Sequence, residues 1–391
     1  MDSKNTSDIL QIDLLKGLAI ISVVIGHIVA YQVLLTKPQV LTTVSNQILT
    51  PEVNQINFNF INSLSIGSLA QVFTHWITYS ALLTQQVVPL FIMIMSFNLS
   101  LSFSRRKYYK LEQFFSKIQI KNKIRRFFVP FLIVFFISLI IGILIELTTN
   151  RQILNLNFRL LMGYLPINGP GAYFIPLIIQ MIVLFPLLYL FYRYNRNACI
   201  LVGFVLAFAG EIFNQFGTNG IWYDDSLVRF FPHIILGIWI SDLYLESQLK
   251  NKFLMLFGVL SGIYLISVSQ FESGILWGIH FVPYTADQNL FASGWPAMLL
   301  IIGLMYLPNV KNIFTYPLAL IGKATYHIYL VQIVYFGVWG GFGLKYHTFI
   351  DLFSINNIIM IAIPFSIVVL IGLGFYELDN NNFFCKKSGN G

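Results

Sequence analysis

Stretches of about 20 apolar residues recur along the whole of this chain, and each is long enough to span a lipid bilayer. No other property restricts its fold so tightly. In hydrocarbon every backbone N–H and C=O must be satisfied within the protein, which leaves helices or a closed barrel. The runs here are continuous, whereas barrel strands would be shorter and would alternate in polarity. Of the 391 residues 57% are hydrophobic and only 10% are charged, against about 25% charged in a typical soluble protein. The expectation is therefore an all-α fold, a polytopic membrane bundle.

Ten spans are predicted, at 12–35, 83–103, 128–148, 172–192, 198–217, 227–244, 252–270, 290–307, 323–343 and 355–377. The charges constrain their direction. With a cytoplasmic N-terminus, the inner loops hold Arg193, Arg196, Lys250, Lys252, Lys311, Lys386 and Lys387, together with nine of the 24 basic residues between Arg105 and Arg126. The outer segments hold only Lys37, Arg151, Arg159 and Lys345, beside Glu52, Asp224, Asp225, Glu272, Asp287 and Asp351. That alternation follows the positive-inside rule and puts both termini in the cytoplasm of a multi-pass cell-membrane protein. Residues 1–380 read as a single transmembrane domain and 381–391 as a short polar tail. The basic loop suits contact with anionic lipid headgroups, and it accounts for the net charge of +8 without a nucleic-acid partner.

Other features add less. No small-residue cleavage site follows the first apolar run, so it reads as a retained span. Cys199 and Cys385 both fall on the cytoplasmic side and imply no disulfide framework. The segment from Thr36 to Leu82 is the longest outer stretch, and its 62–80 part, with Trp76 and Tyr79, reads as an interfacial helix or a lid. The six histidines are scattered and no metal or Walker-type spacing occurs, so neither a metal nor ATP hydrolysis is expected.

Within the first span one residue stands out: His27, an ionisable ring deep in an apolar helix. Such a group is costly there and marks a functional site by default. Lys16 precedes it by 11 residues, which is three helical turns plus about 20°, so the two share a stripe with roughly 16 Å of axial rise. Asp13, three residues before Lys16, lies on the same face. Ser22, Gly26 and Ala30 form a small-residue face that would let a neighbouring helix approach. The plainer alternatives are a snorkelling anchor for Lys16 and an interhelical hydrogen bond for His27.

The Lys16-to-His27 pattern, within Ile-Asp-x-Leu-Lys-Gly-x-Ala-Ile-x-x-Val-x-x-x-His, resembles the first-helix signature of the acyltransferase family 3 membrane proteins, which usually carry Arg in place of Lys16. Pro89-Leu90-Phe91-Ile92-Met93-Ile94-Met95-Ser96-Phe97 is similar to the second-span pattern, with Phe97 where the family usually has Gly. Lys123-Ile124-Arg125-Arg126-Phe127-Phe128-Val129-Pro130 resembles the basic lead into the third span. Ile321-Gly322-Lys323-Ala324-Thr325-Tyr326-His327-Ile328-Tyr329-Leu330 resembles the penultimate-span motif, with Gln332 where a histidine is often found. The resemblance covers nearly the whole chain. It implies transfer of an acyl group, mostly acetyl, onto envelope glycans and other hydroxyl acceptors, with acyl-coenzyme A as co-substrate and glycan-synthesis enzymes as candidate partners.

The residues fit that chemistry. Acylating a hydroxyl means removing its proton while a thioester carbonyl is attacked, and histidine titrates near neutrality. His27, with Asp13 beside the cation on its helix, is the catalytic candidate; it could equally carry the acyl group as a nucleophile. Arg125 and Arg126, with Lys16, are candidates for the coenzyme phosphates, because Arg grips phosphate with a planar fork that Lys lacks. Glu146, Arg229 and His233 are candidates for the acceptor: Arg229 and His233 are four apart on one face of span 6, and Glu146, like Glu211, sits near an outer helix end. The outer-loop run Trp222-Tyr223-Asp224-Asp225 offers stacking and hydrogen bonds to a sugar, or simple interfacial anchoring. A rival of another class is a transporter or polysaccharide exporter with His27 and Asp13 in a proton relay. The basic cluster beside the Lys16–His27 stripe favours the enzyme.

Overall fold

The structure, a computed structural model, describes residues 9–35, 87–149, 152–216, 225–270, 290–342 and 355–380. The 62–80 segment, residues 222–224 of the outer loop, Cys385 and the polar tail lie outside the described residues.

Among the described residues every regular element is helical. Apart from three short helical turns, in chain order they are α1 Leu10–Leu35, α2 Val87–Arg105, α3 Lys117–Thr149, α4 Phe174–Tyr194, α5 Arg196–Phe216 and α6 Leu227–Leu245. Then come α7 Lys252–Gln270, α8 Gly294–Tyr306, α9 Thr315–Lys323, α10 Thr325–Phe342 and α11 Ile355–Asn380. Seven of them, α1 to α6 and α11, are long and apolar enough to cross a membrane. All ten apolar segments read from the sequence fall on helices, and α9 is a further short one. The chain is a multi-pass helical membrane protein.

The helices group into two compact units, Met1–Leu15, Thr42–Phe114 and Leu177–Asn309 in one, Lys16–Leu41, Phe115–Pro176 and Val310–Gly391 in the other. The boundary passes along α1 between Leu15 and Lys16.

In the first unit, α2 and α6 meet along small residues. Ser96, Ser100 and Ser104 recur every four positions and so share one face of α2. Ser96 Oγ donates to the Ile234 carbonyl at 2.8 Å. Ser100 and Ser241 share a 2.6 Å hydroxyl contact, and Ser104 lies 2.6 Å from the guanidinium of Arg193. Gly237 completes the contact, since a Cβ there would come within 2.6 Å of the Met93 carbonyl. With no water to expel, helices in lipid associate by this kind of close backbone approach and shared hydroxyls. At the end of the seam Arg193 pairs with Asp242 at 2.7 Å.

The second unit is arranged about α10, which packs on α3 and α11. Gly372 lets α11 close on α10, where a Cβ would stand 2.6 Å from Ile328 Cα. Near its start α3 passes through a π-helical stretch, Ile124–Phe128, where the Val129 N–H reaches back to the Ile124 carbonyl. At its other end Glu146 turns the chain: its Oε1 accepts the backbone N–H groups of Ile153 and Leu154, both at 2.8 Å. The loop that follows runs to α4 and contributes the wall described next.

Candidate functional site

His27 lies in the second unit, half-buried on α1. Its neighbours there come from α10 and from the loop before α4. Phe336 presents its ring edge-on, with centroids 6.2 Å apart, and Gln332 supplies the polar side chain beside the imidazole. Thr325, Tyr329, Gln332 and Phe336 follow helical spacing and form one stripe of α10.

The loop can reach His27 because of its glycines. Gly171 has φ +82°, a left-handed conformation that L side chains adopt at a cost. A Cβ at that position would run into the Tyr329 hydroxyl and stand 3.4 Å from His27 Cε1. The Tyr329 hydroxyl donates to the Gly171 carbonyl at 2.5 Å and pins the loop. One turn along, Gly169 and Gly337 allow backbone to lie on backbone: a Cβ on Gly337 would stand 3.1 Å from the Asn168 carbonyl. Asn168-Gly169-Pro170-Gly171 is thus a wedge held against α10 at one edge and His27 at the other.

Several polar atoms in this wall are buried and without a hydrogen-bond partner among the described residues: Nδ1 of His27, Oε1 and Nε2 of Gln332, and Oδ1 of Asn168. Gln332 is wholly buried. Each orphaned polar group costs about 1–3 kcal/mol. A fold tolerates that where the groups serve another purpose.

The basic candidates sit at the other end of α10. Arg125 and Arg126 are exposed, within the π-helical stretch of α3. Arg126 stands over the Phe127 ring at 5.6 Å, and the Phe127 carbonyl accepts the Tyr326 hydroxyl at 3.0 Å. From Tyr326 to Gln332 and Phe336 is six and ten residues of one helix, or roughly 9–15 Å of rise. The arginines and the imidazole therefore flank the first half of α10. Lys16 is half-buried on the same helix as His27. Asp13 is buried and belongs to the first unit.

His327, beside Tyr326, faces away from this stripe. Its Nε2 is 3.0 Å from Asp379 Oδ2, and it packs against Phe375 and Tyr376 of α11 with centroids 4.8 and 5.5 Å away.

The acceptor candidates separate. Glu146 is engaged in holding the turn after α3, through one carboxylate oxygen. Arg229 and His233 are buried in the first unit. There Arg229 acts electrostatically on both His233 and Glu211, and Glu211 Oε1 accepts the Leu290 N–H at 3.1 Å. The sequence marks Tyr329 only as one member of the penultimate-span motif, and Asn168 only by the Asn-Gly-Pro-Gly run, which signals a tight turn between two spans.

A family model described as an acyltransferase domain, that of acyltransferase family 3, matches residues 9–377. The chain belongs to this family and is a membrane acyltransferase. No curated protein and no solved structure matches it.

Proposed function

We propose that the protein is an integral membrane O-acyltransferase that moves an acyl group, acetyl in the simplest case, from acyl-coenzyme A to a hydroxyl of an envelope carbohydrate. The observation that carries this reading is His27 itself: an imidazole walled by a glycine-rich wedge and by a stripe of α10 on which the buried Gln332 amide completes no hydrogen bond of standard geometry.

The coenzyme's phosphates bind at Arg125 and Arg126, with Lys16 adding charge from α1. Both arginines are exposed, as a site filled from the cytoplasm requires. The stretch of α10 between them and His27 is covered by the pantetheine arm rather than the nucleotide. At His27 the acceptor hydroxyl loses its proton to the imidazole lone pair while its oxygen attacks the thioester carbonyl. The C–S bond then breaks, and the departing thiolate takes the proton from the imidazolium, leaving an ester and free coenzyme A. In the covalent variant the imidazole nitrogen attacks first, releasing the thiol, and the acceptor oxygen then displaces it from an acyl-imidazole. Either route needs one ring nitrogen with a free lone pair.

The test is transfer from radiolabelled acetyl-coenzyme A by purified protein, wild type against His27→Ala. The variant should lose at least about 100-fold in rate, the scale on which a positioned acid–base group contributes. A folded His27→Ala protein with the wild-type rate would refute the mechanism. Label retained on wild-type protein after rapid quenching in the absence of acceptor would select the covalent route.

A further inference from the structure

Outside the His27 wall, two other polar clusters are held by ion pairs: Arg193 with Asp242 and Ser104, and His327 with Asp379. Buried polar atoms without a partner among the described residues occur elsewhere, on both ring nitrogens of His233 for instance, but at the wall three side chains that carry them, His27, Gln332 and Asn168, come from elements packed on one another. Its chemistry also differs from that of the basic end. Gln332, Asn168 and Tyr329 are all uncharged, and a carboxamide both donates and accepts. Gln332 is fully buried on the stripe that faces His27, its amide close enough to act on the imidazole, and neither amide atom completes a hydrogen bond of standard geometry. Asn168 is set on the wedge that touches the same helix, its Oδ1 buried and unpartnered.

From this juxtaposition we infer that Gln332 and Asn168 form the acceptor subsite beside His27, and that it takes an uncharged polyhydroxyl group, such as the ring of a neutral sugar. Each sugar hydroxyl donates one hydrogen bond and accepts others, which is what two carboxamides complement. A phosphate or carboxylate acceptor would instead demand cationic donors. Charge is thereby divided along α10: arginines at the end that suits the anionic coenzyme, amides where a neutral acceptor reacts. Tyr329 acts as a positioning residue, since its hydroxyl is committed to the Gly171 carbonyl and fixes the wedge that carries Asn168. The inference rests on the acyltransferase reading and adds to it the class of acceptor and the residues that select it.

The experiment uses the full chain in lipid nanodiscs with acetyl-coenzyme A and two acceptor sets, neutral methyl glycosides and the matching methyl uronates. The wild type should favour the neutral set by about tenfold or more in kcat/KM, the worth of one or two hydrogen bonds. Gln332→Leu, near-isosteric and apolar, should raise the glycoside KM by about tenfold while the acetyl-coenzyme A KM stays within about twofold. A purely structural role would move both constants or neither. An unchanged glycoside KM, or preference for the uronates, overturns the inference and leaves the acyltransferase reading intact. A wild type that takes the acetyl group onto neither itself nor any acceptor overturns the reading beneath it. If Gln332→Leu does not fold, Asn168→Ala is read by the same two KM values.

Discussion

Gly171→Ala places one methyl group where the wedge passes between Tyr329 and His27, and its effect can be worked out beforehand. The residue sits at φ +82°, and holding an L-residue in the left-handed region costs about 1 kcal/mol. The methyl cannot coexist with the Tyr329 hydroxyl where it stands, so the ring or the loop must shift and the Tyr329–Gly171 hydrogen bond goes with it, at about 1 kcal/mol. The sum, about 2 kcal/mol, is a large share of a marginal stability. Activity should suffer more than stability. A displacement of about 1 Å at the wall of a reacting site costs on the order of 100-fold in rate. Gly374→Ala is the control, because nothing lies within 4 Å of its Cβ position; there the change should be neutral or gain up to about 1 kcal/mol of helix propensity. Both variants would be followed by thermal inactivation in detergent and by acyl transfer at temperatures where each is folded. If Gly171→Ala matched Gly374→Ala in midpoint and rate, the close approach of wedge, tyrosine and imidazole would be wrong.

Two other changes probe separate parts of the chain. Ser241 Oγ donates to the Ile238 carbonyl at 2.7 Å, so Ser100 is the donor in the Ser100–Ser241 pair. Ser241→Ala therefore strands a buried hydroxyl on Ser100 and should lower the unfolding midpoint more than Ser100→Ala does, with the two differing by about 1 kcal/mol; equal midpoints would contradict that donor order. Arg126→Ala should raise the acyl-coenzyme A KM by about tenfold and flatten its dependence on salt, whereas Arg126→Lys keeps charge without the fork and should recover only part of the loss; an unaltered KM in both would remove Arg126 from the donor site.

How much of this was legible beforehand depended on the range over which each signal acts. The spans could be read because hydropathy is local: an apolar run such as Val129–Thr149 must be buried in lipid or protein whatever surrounds it. The short α9 gave no such run, being nine residues long and held at its start by Asn312 and Thr315. Ser22 and Gly26 were read as a face for helix contact. Among the described residues a Cβ at Gly26 meets nothing within 4 Å, whereas one at Gly17 would meet the Leu318 carbonyl. Small residues permit proximity without causing it. One oxygen of Glu146 accepts two backbone N–H groups beyond the helix end, a use written in the loop rather than in the glutamate. The wall of the site was the least visible part. Gln332 and Asn168 are 164 residues apart in sequence, and nothing in either neighbourhood says that the wedge carrying one packs on the helix carrying the other.

The π-helical stretch at Ile124–Phe128 has a consequence for how the arginines are aimed. A π turn fits one extra residue into an α-helix, so the phase of everything before it is offset by about 100° from the body of α3. A heptad count carried from Val129–Thr149 back to Lys117 would assign the wrong azimuth to every residue upstream. Removing one residue from the stretch would therefore act as a rotation more than a shortening. Lys117, Lys121 and Lys123 would swing around the helix axis with no charge lost, and the Phe127 carbonyl would return to the helical ladder and release Tyr326. Where the basic face points is set by the winding of the backbone as well as by the residues that make it basic.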